Sequence, residues 1–283
     1  EALEALVLAP WRDRGEGVLD LHFAPFRLLS IVNRFDLRDE SPEGTAGEGR
    51  FVFGLLDANC NPTAAVIIFE YALPAASEEA VANWASQWHQ LGALDGPEYN
   101  DALEAITLAF TDAGAMPERP NGSAINQVRS NDLIFTGRWT LREFRLDEAG
   151  DLMSAPTVKT PDASFNNSPD LLSQIIDDAP IPESTLAGEA PIEGLWNFGP
   201  EASPEDRHTF ALNTCNGCHS GETGTPFLHV SNRNMGQPTQ LSGFLTGTEV
   251  PDPLTGELRS FDELGRRGED LANFLAANSL SLP

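Results

Sequence analysis

The chain has 283 residues, 41% hydrophobic and 21% charged, enough apolar material for one large domain or two of unequal size. Its 17 basic and 43 acidic side chains give a net charge of -26. That balance opposes binding to nucleic acid or an anionic membrane surface, because phosphate contacts need clustered Lys and Arg. No stretch nears the roughly 18 uninterrupted apolar residues of a membrane-spanning helix.

The first eight residues lack the positive start and apolar middle of a secretory signal, so an export signal is expected to have been removed or to lie outside this chain. The acids are spread along the whole sequence rather than gathered in a tail. They make either a solvated surface that resists aggregation or a docking face for a basic partner.

Between residues 19 and 73 the apolar positions fall in runs at 19–26, 28–35, 50–56 and 64–71, separated by turn-rich 39–49 and 57–62. Their length and β-branched content predict strands. Ser77 followed by Glu78 and Glu79 predicts a capped helix start, and Val81, Trp84, Trp88 and Leu91 follow at helical spacing. Pro97 opens a second helix, with Tyr99, Leu103, Ile106 and Phe110 on one face up to the breaker Gly114. A hairpin is expected from 133–135 and 139–146 across Thr136, Gly137 and Arg138, with a further strand at 153–160 and a short helix at 169–176. Residues 179–200 are rich in Pro, Gly and Glu and hold the expected boundary between units 1–195 and 196–283. The first unit is predicted to be an α+β domain with a largely antiparallel sheet and a helical pair on one side.

One motif carries chemistry. Thr214, Cys215, Asn216, Gly217, Cys218 and His219 contain C-x-x-C-H, the attachment signature of c-type haem. Two thiols three positions apart in a helical turn can add to both vinyl groups of one porphyrin, and the adjacent His then points at the iron. From composition, about one sequence in two thousand would match by accident. The alternatives are a Cys215 to Cys218 disulfide or a zinc half-site, but with only Cys60 left over there is no second C-x-x-C to complete a zinc cluster. Cys60 is then an unpaired thiol or a small buried residue. Hydrolase and nucleotide-binding signatures are missing, and Asn121, Gly122 and Ser123 match a glycosylation sequon that occurs easily by chance.

Over about its last 85 residues the chain resembles the class I-like monohaem c-type cytochromes. Ser203 as N-cap, Pro204 at the first helical position and the acids Glu205 and Asp206 begin a helix running through Phe210 into the motif. Ser260, Phe261, Asp262 and Glu263 form a capping box, and Phe261, Leu264, Gly268, Leu271 and Leu275 make one apolar stripe, similar to the family's terminal helix. Residues 224–228, with Pro226 among them, are similar to the Gly-Pro loop beside the haem. The resemblance implies a small all-α cytochrome c-like domain at 196–283, one covalent haem c on Cys215, Cys218 and His219, and packing of the terminal helix on the first one through Gly265 or Gly268. It also implies export to a bacterial periplasm or cell surface.

The family's sixth ligand is usually a Met well downstream, whereas the only Met after His219 is the nearby Met235, and His229 is its rival. Arg207 and Arg233, with Arg259 and Trp196, are candidate donors to the propionates. His22, His89 and His208 read as surface or partly buried polar residues, with His89 a candidate to face a haem, and Trp84, Trp88, Trp139 and Phe144 as core. The leading expectation is an extracytoplasmic one-electron carrier that docks a redox partner, another cytochrome or identical subunits. The alternatives are a surface assembly protein whose haem is structural or a relay, and a haem-dependent oxidoreductase or peroxidase.

Overall fold

The computed structural model describes residues 3–39, 44–75, 77–135, 140–155, 203–213, 218, 223, 225, 228–252 and 255–278. Its centre is a six-stranded antiparallel sheet in sequence order: β1 (Phe26–Arg34), β2 (Thr45–Leu56), β3 (Pro62–Pro74), β4 (Ile125–Asp132), β5 (Thr140–Leu146) and β6 (Leu152–Ala155). A helix begins as π-type turns over Glu4–Leu8, continues as α1 (Ala9–Arg14) and buries Val7 against Leu55 and Ala65. Among the described residues no helix is long and apolar enough to cross a membrane.

Pairing Arg50 with Glu70 and Phe51 with Phe69 sorts the sheet into two chemically different faces. The aromatic face carries Phe51 and Tyr71, covered by α2 (Glu78–Gln90) and α3 (Gly96–Thr111). Phe110 of α3 lies 6.1 Å from the Phe51 ring and 5.5 Å from Tyr71, with Trp84 of α2 at 5.9 Å. Gly49 is what admits α3 this closely, since a Cβ there would sit 2.6 Å from Phe110 Cζ. The Ser77 hydroxyl caps α2 by accepting from the Ala80 amide at 3.2 Å.

The opposite face is ionic. Arg50 reaches Glu48 at 2.6 Å and Glu70 at 3.1 Å, while Arg129 on β4 bridges Glu70 at 3.5 Å and Glu143 on β5 at 2.7 Å. Glu70 and Glu143 are wholly buried. Burial pushes the Glu70 carboxyl up, but Arg50, Arg129 and the Gln127 amide outweigh it and hold it below the usual carboxylate range. A polar side chain on every second residue thus marks a buried face here, paired across strands rather than turned to water.

After β6 the described chain resumes with α4 (Pro204–Asn213), then α5 (Gly243–Thr246), a hairpin of β7 (Thr248–Pro251) and β8 (Leu258–Phe261), and α6 (Glu263–Ala277). This corrects the small all-α domain expected for the C-terminal region, because it holds a strand hairpin. Leu258 and Ser260 are exposed while Arg259 and Phe261 are buried, a period-two alternation that the apparent capping box at Ser260 concealed. The N-cap of α6 is Asp262, whose carboxylate accepts from the Gly265 amide at 3.0 Å. Among the described residues, nothing lies within 4 Å of where a Cβ on Gly268 would stand, and at Gly265 the nearest atoms are those of Asp262.

Helix α6 turns Leu271, Phe274 and Leu275 into the core that also holds Leu73, Trp84 and Phe110. Phe274 meets Phe35 edge-on at 4.9 Å, and the Arg38 guanidinium lies over both rings at 4.5 and 5.0 Å while pairing with Asp270. Asp36 pairs with Arg34 at 2.8 Å and with Arg266 at 3.1 Å.

Two outcomes are expected. Arg129→Met leaves Glu70 and Glu143 buried without their shared cation and should cost about 3–5 kcal/mol in urea unfolding, whereas a loss under 1 kcal/mol would show the network to be dispensable. The second concerns acid. Burial raises the Asp36 and Glu263 carboxyls, yet Arg34 for the first and Arg266 with Arg267 for both hold them below their ordinary values when folded. Their contribution, like that of Glu70, is complete above the unfolded carboxylate range near pH 4 and is lost as pH falls through the folded values. Burial shifts Asp132 the other way, with Arg142 only partly offsetting it, and this carboxyl favours the folded state as it protonates. Glu4 and Asp57 are depressed as well, so among the described carboxyls five are lowered against one raised; the urea midpoint should fall between pH 5 and pH 3, and Asp36→Asn should flatten that fall.

Candidate functional site

The motif follows α4, and its neighbourhood is built by the hairpin. Ala211, Phe244 and Phe261 are buried together, with Leu245, Val250 and the half-buried Cys218 packed against them. Cys218 is helical, and the buried Thr223 donates from Oγ1 to its carbonyl at 2.7 Å and lies 3.0 Å from Thr225 Oγ1. His208 of α4 stacks edge-on against Phe261 at 4.9 Å, with Nε2 3.2 Å from the Ser260 carbonyl. Burial and then the nearby Arg259 charge lower the His208 pKa, which keeps its ring neutral at pH 7. Arg259 is itself buried, 3.7 Å from Asp252 and 5.8 Å from the Phe261 ring centre.

His229 reaches the same cluster from the next segment. Its ring lies 5.0 Å from that of Phe244, and Nδ1 is hydrogen-bonded to Ser242 Oγ at 2.8 Å. The backbone repeats the tie: the Ser242 amide donates to the His229 carbonyl at 2.9 Å, beside a bridge between Val230 and Leu241.

Residues 229–242 are fastened to the ionic face of the sheet. The Asn232 carboxamide donates to the carbonyls of Leu55 at 2.7 Å and Thr63 at 3.2 Å, and Arg27 donates to the Arg233 carbonyl. Gly54 makes this possible, because a methyl there would overlap the Asn232 carboxamide. Arg233 lines an open cleft of about 700 Å³ with Leu29, Gln237 and Thr239.

No protein-family model, curated protein or solved structure matches the chain.

The structure therefore brings Cys218, His208, His229 and Arg259 around one aromatic cluster. Met235 stands apart, 81% exposed in the turn beyond Arg233. Cys215 and His219 lie outside the described residues, as do Trp139, Trp196, Gly224, Pro226, the expected helix at 169–176 and the boundary segment 179–200. Of Arg207 only the backbone, in α4, is described. His22 is exposed beside Asp20, and His89 is half-buried in the last turn of α2. Cys60 is exposed in the β2–β3 turn at φ 63°, with Arg14 Nη1 3.7 Å from its sulfur.

Sequence reasoning missed Ser242, Phe244 and Asn232. Ser242 precedes a short helix and resembles an ordinary N-cap, and its bond to a histidine thirteen residues away leaves no periodic trace.

Asn232→Ala removes the two hydrogen bonds donated to the Leu55 and Thr63 carbonyls and the one its Oδ1 accepts from the Arg233 amide, and should cost about 1–3 kcal/mol. Its signature is local: faster limited proteolysis within 229–242, with the sheet's far-ultraviolet circular dichroism unchanged. Unaltered proteolysis would show that the segment is held by other contacts.

Proposed function

We propose that the chain is an exported one-electron carrier holding one haem through thioether bonds from Cys215 and Cys218, with His219 as axial ligand. The observation that carries this is the C-x-x-C-H run itself, at a spacing that serves two vinyl groups and one iron. When bound, the group supplies a reversible ferric–ferrous couple.

The described residues around the motif suit that role. Cys218 sits half-buried at the rim of an apolar cluster, so its thiol side borders a dry surface where a porphyrin edge could be covered. Thr223 holds the Cys218 carbonyl, fixing the backbone on which the thiol is carried. Ala211, Phe244 and Phe261 keep water from that side, and a low dielectric there raises the cost of changing charge at the metal and so tunes its potential. Neutral His208 adds bulk without a second positive charge beside Arg259.

Arg233, half-buried at a cleft, and Arg207, of which only the backbone is described, are the candidate guanidinium donors for the propionates. The excess of 43 acidic over 17 basic side chains favours a partner with a basic docking face, through attraction that salt weakens. Attachment of haem to such a motif implies a location outside the cytoplasm.

The test is direct. The full chain, produced with a periplasmic haem-attachment system, should show a Soret band that survives denaturation and acidic acetone extraction, with one haem per chain by the pyridine haemochrome assay. Cys218→Ala should lose one thioether bond and shift that spectrum. A native protein with no Soret band, or a mass spectrum showing Cys215 bonded to Cys218, contradicts the proposal.

A further inference from the structure

We infer that the cleft between β1 and residues 233–241 is a seat for an organic carboxylate with an apolar body, held by Arg233. The inference stands whether or not haem is attached. The cleft measures about 700 Å³, the size of a small-molecule site, and Leu29, Arg233, Gln237, Pro238, Thr239 and Leu241 line it.

Its charge is the first observation. Among the described residues the half-buried Arg233 guanidinium meets no carboxylate, and neither does that of Arg27, which donates to the Arg233 carbonyl from beneath. Arg34, Arg38, Arg50 and Arg129, by contrast, are each taken by acids. Two adjacent cations left over in a chain of net charge -26 make a local positive spot, since acids farther off than roughly 8 Å are screened at physiological salt. A guanidinium fork matches a carboxylate with two parallel hydrogen bonds.

The lining supplies the rest. Leu29 is the bulged residue of β1, between Leu28 paired with Phe53 and Ser30 paired with Val52, and a bulge re-aims a side chain. With Pro238 and the 41% exposed Leu241 it makes an apolar wall for the body of the ligand. Thr239 Oγ1, closed off from solvent, has no hydrogen-bond partner, so turning it about χ1 to meet the ligand breaks nothing.

The cleft beside β4 and β5 shows the opposite design. Its Arg119 is spent on the Ser123 and Ile125 carbonyls and on Asn126, and Glu48, Asp147 and Glu148 line it, so it repels anions.

The test titrates the full chain with octanoate, reading the amide resonances of residues 29 and 233–241. Octanoate should shift them saturably, while octanol and inorganic phosphate, which each lack half of the match, should bind far more weakly. Arg233→Ala, which breaks no contact to protein, should weaken octanoate about tenfold or more, with Arg233→Lys in between because it keeps the charge and loses the fork. Thr239→Val should weaken it about threefold without lowering stability, and Arg12→Ala, on α1, should change nothing.

Two sources supply such a carboxylate, a free acid or a propionate of the proposed haem, and repeating the titration with and without haem separates them. Octanoate binding in both forms identifies a free acid, binding only in the haem-free chain identifies a propionate, and either result keeps the carboxylate seat. No saturable shift with octanoate, equal binding of octanol, or an unaffected Arg233→Ala overturns the inference. A chain that never takes up haem overturns the proposed function and leaves this inference standing.

Discussion

The C-terminal helix α6 is fixed to the sheet by a small sandwich, Arg38 lying across Phe35 and Phe274 while its guanidinium pairs with Asp270. Asp36 adds a second tie through Arg266, and Leu275 inserts into the core beneath α2. A cation over two rings, with its charge satisfied by a carboxylate, unites apolar burial and ion pairing at one point. With Asn232 seated on Gly54, α6 gives the C-terminal region two anchors on the sheet. Between these anchors lie α5, the β7–β8 hairpin and the cluster of Phe244 and Phe261, and on that cluster rest α4 and Cys218. The surroundings of the motif are thus positioned by contacts made elsewhere in the chain.

That construction separates two jobs. The sheet, with its aromatic face under α2 and α3 and its paired charges on the other face, forms a rigid platform. Buried ion pairs contribute less net stability than apolar packing, but they penalise any register other than the one that matches Arg50 with Glu70 and Arg129 with Glu143. The hairpin side supplies the nonpolar cover around Cys218.

How much of this the sequence disclosed depended on whether the signal was local. The two helices over the aromatic face announce themselves through Ser77, Pro97 and apolar residues at helical spacing. Strands β2 and β3 stand out as runs of Val, Ile and Phe. Strand β4 did not: Gln127, Arg129 and Asn131 resemble a solvated loop until their partners Glu70 and Glu143 are seen across the sheet, and the expected strand was placed just beyond it. Residues 19–26, expected to be a strand, instead form a bend and a short 3₁₀ turn with Leu21 80% exposed, since apolar composition without a pairing partner does not make a sheet. The motif was legible because its chemistry lies within five residues. His229 was a candidate by residue type alone, and what distinguishes it from Met235, namely Ser242, Phe244 and the docking on Gly54, is contact between distant segments.

The central structural claim is that the C-terminal region shares the stability of the sheet. Native-state hydrogen exchange by mass spectrometry tests it most directly, comparing peptides from α6 with peptides from β2 and β3. Equal opening free energies, falling together as urea is added, are the expected result. Exchange in α6 through a separate opening of much lower energy, while β2 and β3 stay protected, would contradict the claim and detach the motif's surroundings from the platform.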